Sequence, residues 1–170
     1  MVATRQASDE GLVLLRAAWL TGEGRIGRLL AQLVEDRNDA EDLLQETWTA
    51  AFRDRRRLVG HPAPEAWLLT IARHRALAHL RRARRGLRAW QRLRPARAEG
   101  EGDRDAILDT RRLLARLPAD DRVLLVLRFV HGYSAEELAQ VWSISPEAAR
   151  KRVSRARARL IEEHAKEAER

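Results

Sequence analysis

The feature that most constrains the fold is a pair of helix-start signals placed close together near the C-terminus. Ser134-Ala135-Glu136-Glu137 has the pattern of a capping box, in which the serine and glutamate side chains satisfy each other's backbone N–H groups. Ser145 followed by Pro146 is typical of an N-cap and the first position of a second helix. Between them, Ser143-Ile144-Ser145 predicts a tight turn. The sequence therefore predicts a short helix, a tight turn and a second helix.

The second of these helices combines a narrow apolar stripe with a basic surface. Ala149, Val153, Ala156 and Leu160 recur at helical spacing, and most positions around them are basic. A cationic helix after a tight turn is typical of the helix-turn-helix, whose second helix enters the major groove of DNA. An amphipathic helical hairpin with a solvated outer face is the alternative. The residues expected to contact DNA are Glu147, Arg150, Lys151, Ser154 and Arg155.

The overall charge also favours a polyanionic partner. The 170 residues include 33 Lys and Arg against 25 Asp and Glu, giving a formal net charge of +8. Each phosphate that a basic side chain contacts releases counterions, which favours binding to nucleic acid. The chain has no cysteine, so disulfides and thiolate metal sites are excluded. It shows neither a signal peptide nor an apolar run near the roughly 20 residues of a membrane helix, so we expect a cytoplasmic protein without membrane insertion.

The pattern along the chain indicates an all-α fold of two small helical domains. No alternating β-branched run is long enough to predict a strand. Residues 96–103 have no apolar period and contain two glycines, which is typical of a linker. We expect a helical bundle at 1–90, a flexible linker at 91–105 and a helix-turn-helix domain at 106–170. The residues expected to pack beneath the helix-turn-helix are Val123, Leu124, Leu127 and Val130.

An acidic helix is predicted in the first domain, from a capping start at Asn38-Asp39 to Phe52. Leu44, Trp48, Ala51 and Phe52 share one face of this helix and are expected in the core. An acidic outer face on a basic protein repels DNA and attracts a basic protein partner, although plain solvation is the alternative. The residues expected on this outer face are Asp39, Glu41, Asp42, Gln45 and Glu46.

A basic helix is predicted next, from Pro64 to Arg82. Its apolar positions, expected in the core, are Trp67, Leu68, Ile71 and Leu77. Trp67 has an alternative role in stacking on an exposed base. No histidine has carboxylates at metal-ligand spacing, so no metal site is expected. The polar and cationic surface comprises Arg73, His74, Arg75, His79, Arg81 and Arg82.

Five segments, in this order and spacing, together resemble the extracytoplasmic-function (ECF) sigma factors, which are bacterial transcription initiation factors. Each segment alone is a weak signal, and the five together cover much of residues 30–85 and 105–162. The segments are Asp39–Thr47, Ala66–Arg73, Leu117–Arg122, Tyr133–Ala139 and Ser154–Leu160.

The resemblance implies a division of labour. The acidic helix resembles region 2.2, which docks on the coiled coil of the β′ subunit of core RNA polymerase. The loop 54–64 and the basic helix resemble the regions that open the −10 promoter element. The last helix-turn-helix resembles region 4, which recognises the −35 element and binds the β flap. Promoter DNA and an anti-sigma factor are further implied partners, and neither a cofactor nor catalytic residues are implied. The residues implied at −10 are Trp67, Arg73, His74, Arg75, Arg81 and Arg82.

The sequence departs from the family at several positions. The family usually has Asn at the position of His74 and Asp at that of Ala78, so the −10 preference cannot be transferred. Trp142-Ser143 replaces a small turn that usually includes Gly. Residues 1–30 match poorly, and the first helix of region 2 looks shortened or reorganised.

Two rival interpretations remain open. A stand-alone helix-turn-helix regulator explains the C-terminal domain but leaves the acidic helix unused. A polymerase-binding adaptor that no longer melts DNA is suggested by His74 and Ala78. An enzyme is not expected, because the chain has no Gly-rich phosphate loop and no nucleophile motif.

Overall fold

The computed structural model describes residues 2–91 and 112–168, and every regular element among them is a helix. In the N-terminal unit, α1 spans Val2–Leu33, α2 spans Arg37–Arg53, a 3-10 turn spans Arg55–Leu58 and α3 spans Pro64–Gln91. The all-α prediction is confirmed. Apart from residue 91, the predicted linker at 91–105 lies outside the described residues. No helix within the described ranges is long and apolar enough to cross a membrane.

In the C-terminal unit, residues 112–116 are helical and lead into α4, which spans Ala119–Leu125. Helix α4 continues directly as a π-helical turn over Val126–Val130. Helix α5 spans Ala135–Trp142, and α6 spans Pro146–Ala168. The short α5 and long α6 therefore follow one another across the predicted tight turn.

Helix α1 is the support against which α2 and α3 pack. Leu15, Leu29, Leu30 and Leu33 are fully buried along its length, because they return to the same side of the helix at helical spacing. The expected shortening of the first helix is not seen, since α1 is 32 residues long.

Helix α2 differs from the sequence prediction at its start and in its buried face. Its N-cap is Asp36, whose Oδ1 accepts a hydrogen bond from the Asn38 backbone N–H at 2.8 Å, so the helix begins at Arg37. The core prediction for Phe52 is wrong, because this side chain is exposed and lies beneath the Arg55 guanidinium, 4.4 Å from its ring centre. Leu44 and Trp48 are half-buried. The fully buried positions are Ala40, Leu43, Thr47 and Ala51.

The C-terminal unit buries Val123, Leu124 and Leu127 beneath the helix-turn-helix, as predicted. The prediction for Val130 is wrong, since 58% of it is exposed. The reason is local: the wider π-helical turn rotates Val130 away from the face that carries Leu127.

The two units share one continuous hydrophobic core. Helix α3 contacts α4 and α5, and α1 contacts the π-helical turn. Two hydrogen bonds also cross the boundary: Thr70 Oγ1 donates to the Val141 carbonyl at 3.2 Å, and Arg122 donates to the Leu33 carbonyl at 2.6 Å. No sequence pattern predicted this contact, because it depends on pairs of residues far apart in the chain.

Gly11 provides a test of how α1 sits against the 3-10 turn. A Cβ at Gly11 would lie 2.5 Å from the Arg55 carbonyl oxygen, so backbone would have to move. We expect Gly11→Ala to lower the free energy of unfolding by about 1–3 kcal/mol, the usual cost of overpacking. Chemical denaturation of the purified chain measures this.

Gly22→Ala is the matched control on the same helix. Its Cβ would meet only the Ile26 side chain at 3.9 Å, so the variant should gain up to about 1 kcal/mol from helix propensity. Equal effects of the two variants would contradict the close approach of α1 and the 3-10 turn.

Candidate nucleic-acid and polymerase interfaces

The starts of both α5 and α6 have the predicted capping geometry. Ser134 Oγ accepts from the Glu137 N–H at 3.1 Å, and Glu137 Oε2 accepts from the Ser134 N–H at 2.8 Å. Ser145 Oγ accepts from the Ala148 N–H at 3.2 Å, which caps α6. Ser143 adopts φ 51°, in the left-handed region, and the chain reverses there. These local bonds fix the angle at which α6 leaves α5.

Helix α6 buries one side and exposes the other. Ala149 and Ala156 are almost fully buried, and Val153 and Leu160 pack against the core, as the stripe predicts. The residues predicted at −35 lie together on the exposed side because they recur at intervals of three and four. They are Glu147, Arg150, Lys151, Ser154 and Arg155, all exposed.

Two ion pairs occupy this exposed side of α6. Arg150 lies 3.0 Å from Glu136 on α5, and Lys151 lies 2.7 Å from Glu147. All four side chains are more than half exposed, and such surface pairs contribute little to stability. The two cations can therefore exchange these acids for phosphates or base edges at small cost.

The outer face of α2 carries the predicted acidic set. Glu41, Asp42, Gln45 and Glu46 are exposed, and Asp39 is half-buried. Arg75 and His79 of α3 line one edge of this face. Arg75 lies 3.8 Å from Glu46, and His79 lies 3.6 Å from Asp39. The face is therefore acidic along its centre and partly neutralised along the side that borders α3.

The residues predicted at −10 do not share one face of α3. Arg73, His74 and Arg75 follow one another, and successive helical residues point about 100° apart. Arg73 turns toward Asp120 in the C-terminal unit at 3.2 Å, and Arg75 turns toward Glu46 on α2. Trp67 is half-buried against the core, whereas Arg81 and Arg82 are exposed.

His74 contacts the positively charged guanidinium of its neighbour Arg73. An arginine can only donate, so the 2.9 Å contact from Arg73 Nη2 requires His74 Nε2 to accept. Burial and then the Arg73 charge lower the pKa of His74, which keeps its imidazole neutral at neutral pH.

Sequence reasoning missed a cluster of side chains where α3 meets the C-terminal unit. Asp120 receives Arg73 from α3 and Arg152 from α6, and the Trp142 ring lies beside both guanidinium groups. The one sequence signal for this cluster was the large Trp142 beside the predicted tight turn. Among the described residues, no group of three or more His, Cys, Asp or Glu side chains could hold a metal ion.

Comparisons with known proteins agree with the helical organisation. The family model of Sigma-70 region 2 matches residues 23–86, and that of Sigma-70 region 4 matches residues 107–160. The ECF RNA polymerase sigma factor SigC of Mycobacterium tuberculosis is 31% identical over 178 residues, which cover 95% of each chain. The RNA polymerase sigma factor CarQ of Myxococcus xanthus is 36% identical over 143 residues, which cover 81% of this chain and 82% of CarQ.

A solved structure gives the same result. The sigma factor RpoE, in complex with the anti-sigma factor NepR from Bartonella quintana, matches with a TM-score of 0.62 at 25% identity, covering 88% of this chain and 96% of RpoE. Fold and matched regions thus define an RNA polymerase sigma factor of the sigma-70 type, a transcription initiation factor and not an enzyme. Within that class, the chain belongs to the ECF sigma factors.

The left-handed Ser143 gives a prediction for the turn before α6. A residue with a Cβ is destabilised by about 1–2 kcal/mol in this conformation, and glycine avoids that strain. Glycine also gives the unfolded chain more conformational freedom, which cancels part of the gain in stability. We expect Ser143→Gly to raise the free energy of unfolding by up to about 1 kcal/mol. The control is Ser145→Gly, which removes the cap of α6 and should cost a few tenths of a kcal/mol. Denaturation that shows a loss for Ser143→Gly would contradict the assigned turn.

Proposed function

We propose that this sigma factor recognises the −35 element through the exposed side of α6. The observation that carries the proposal is that α6 has one exposed side and one buried side. Glu147, Arg150 and Ser154 face solvent, while Ala149 and Ala156 are buried. The capped N-terminal half of α6 would enter the major groove, where arginine can pair with guanine O6 and N7. Lys151 and Arg155 lie beside these residues and can contact phosphates.

Arg150→Ala should reduce initiation from a −35-dependent promoter by roughly tenfold, because a base contact of this kind contributes about 1–3 kcal/mol. The measurement is run-off transcription with core polymerase on a cognate promoter and on one with a scrambled −35 element. The variant and the parent protein should perform alike on the scrambled promoter.

Lys166→Ala is the matched control for Arg150→Ala. It removes one positive charge from the same helix, 63% exposed and far from the capped end. If both variants lose activity equally, general charge rather than the recognition side of α6 is responsible.

The outer face of α2 is the proposed docking surface for core polymerase. Asp42, Gln45 and Glu46 border a shallow depression of about 400 Å³ with Thr49 and Arg53. An acidic, exposed face on a protein of net charge +8 favours a basic protein partner over DNA, and the β′ coiled coil is the partner that the family implies. The full set proposed to dock is Asp39, Glu41, Asp42, Gln45 and Glu46.

Asp42→Arg should weaken binding to core polymerase by at least about tenfold, because it places like charges opposite each other at the contact. Glu23→Arg makes the same charge reversal at an exposed position of α1 and should leave the affinity unchanged. Fluorescence titration of labelled protein with core polymerase compares the two. Equal affinities would show that the docking surface lies elsewhere.

Recognition and opening of the −10 element are assigned to α3 and the loop before it. Exposed cations at Arg81 and Arg82 support a DNA contact, and Trp67 is half-buried. The set proposed at −10 is Trp67, Arg73, His74, Arg75, Arg81 and Arg82.

The proposal also includes the domain boundaries, the cellular location and the further binding partners. Residues 1–90 act as region 2, 91–105 as the linker and 106–170 as region 4. The protein works in the cytoplasm, where polymerase and chromosome meet. Region 4 also contacts the β flap, and an anti-sigma factor is a candidate partner because the similar RpoE was solved with one.

A further inference from the structure

An apolar stripe runs along the solvent-facing side of α1, away from the side that packs in the core. Val13 is 68% exposed and Leu20 is 81% exposed, the largest exposure of any large apolar side chain among the described residues. Ala17 and Gly24 are also exposed. The four positions follow one another at intervals of four, three and four residues, so they return to one side of the helix. We name Val13, Ala17, Leu20 and Gly24 the α1 stripe.

The α1 stripe has the pattern of a surface on which a second helix packs. Single exposed apolar residues are normal on a protein surface, but alternating intervals of four and three residues are typical of the seam between two helices. The stripe also alternates in size, because the large Val13 and Leu20 alternate with the small Ala17 and Gly24. A large side chain packs best where the opposite helix offers a gap, and a small residue supplies that gap.

A second copy of the same stripe, running in the opposite direction, matches this alternation of size. In an antiparallel pair with two-fold symmetry, each contact between position i of one chain and position j of the other occurs twice. When the pair is centred near position 19, Val13 lies opposite Gly24 of the second copy. Leu20 then lies opposite Ala17 of the second copy. Every large side chain of the stripe therefore meets a small one.

The charges beside the stripe match the same arrangement. Glu10 and Arg28 are exposed and lie five full helical turns apart, so they are on one side of the stripe. Arg16 and Glu23 are exposed and lie close to two turns apart, on the other side. With the centre near position 19, Glu10 lies opposite Arg28 of the second copy. Arg16 likewise lies opposite Glu23 of the second copy.

Opposite charges therefore border the stripe on both sides of an antiparallel pair. A parallel pair would instead place Glu10 beside Glu10 and Arg28 beside Arg28, and these like charges would repel each other. Within residues 2–91 and 112–168, none of the four charged side chains forms an ion pair, so self-association breaks none. Size and charge are independent features of α1, and both give the same direction and the same centre for the pair.

We propose that a second copy of this chain is the partner of the α1 stripe, and that the free protein self-associates through an antiparallel pair of α1 helices. The contact runs from Glu10 to Arg28, about 27 Å at about 1.5 Å per residue. A single helix pair of this length falls at the small end of specific interfaces, near or below about 1,200 Å², so the dimer is weak. At the nanomolar concentrations of a fluorescence titration the chain is a monomer, and Glu23→Arg still tests polymerase docking alone.

The first test is the concentration dependence of the molecular mass. Sedimentation equilibrium of the purified full-length chain, from about 1 to 300 µM, covers the range of a weak dimer. We expect monomer at the lowest concentrations and dimer at the highest. The dissociation constant should rise several-fold between about 50 and 500 mM salt, because exposed ion pairs are screened. A chain that stays monomeric over the whole range would overturn the proposal.

Leu20→Asn tests the stripe itself. The side chain is 81% exposed in the monomer, so the fold should not depend on it. Leu20 lies near the centre of the contact and occurs twice in a symmetric dimer, so the dissociation constant should rise at least about tenfold. Ile161→Asn is the matched control, because it changes an apolar residue of α6 that is 58% exposed, and association should be unchanged. Equal losses in the two variants, or no loss in Leu20→Asn, would contradict the assigned surface.

Glu10→Arg and Arg28→Glu test the direction of the pair. Each variant alone places like charges at both ends of an antiparallel pair, so each should associate roughly fivefold more weakly than the parent at low salt. An equal mixture restores opposite charges at both ends, and a mixed dimer should form with the affinity of the parent. Recovery in the mixture also shows that both variants are folded. Single variants that associate like the parent, or a mixture without recovery, would count against the antiparallel pair.

A cross-linking experiment checks the centre of the pair. The natural chain has no cysteine, so Val13→Cys and Gly24→Cys each introduce a single thiol. In the antiparallel pair these two positions meet between different chains, whereas two copies of the same position lie roughly 15–18 Å apart along the helices. Mild oxidation with diamide should therefore link a mixture of the two variants into a disulfide dimer much faster than either variant alone. Equal rates in the mixture and in the separate variants would overturn the assigned pairing.

Discussion

The rotational register of α3 is the constraint on which the rest of the structure depends. Ala72 and Ala76 are fully buried, so α1 and the neighbouring helices approach α3 closely along that line. Once this line is fixed, the directions of the side chains between Ala72 and Ala76 are fixed as well. Arg73 therefore faces the C-terminal unit and Arg75 faces α2. A basic run that looks uniform in sequence is thereby divided among different neighbours.

The charges of this protein fall into two groups with different energetic roles. Pairs such as Arg150 with Glu136 are exposed, and they can be exchanged for DNA at small cost. The pair between Arg73 and Asp120 is shielded, and breaking it leaves charges that must find water or another partner. The same kind of side chain therefore serves as a fixed link between the units at Arg73 and stays available for exchange at Arg150.

Sequence reasoning succeeded where the signals were local. The capping box at Ser134, the cap at Ser145 and the buried stripe containing Ala149 and Ala156 depend only on residues a few positions apart, and all are present. Sequence reasoning failed where contacts with residues far along the chain decide which helix face is buried. The spacing of apolar residues cannot show which of two adjacent faces is covered. Phe52 has core-like spacing, yet it is exposed. Val130 is exposed for a different and local reason, the π-helical turn that the apolar spacing did not predict. The roles assigned to the side chains of each surface stay predictions.

The turn before α6 also lies at the boundary between the two units. The Trp142 ring lies between α3 and α6, beside the guanidinium groups of Arg73 and Arg152. Ser143 then has to reverse the chain in a left-handed conformation that costs a residue with a Cβ about 1–2 kcal/mol. A turn whose only task was to orient α6 on DNA would favour glycine at that point. Tolerance of the strain, next to a large indole that contacts region 2, is what a turn with a second task would show.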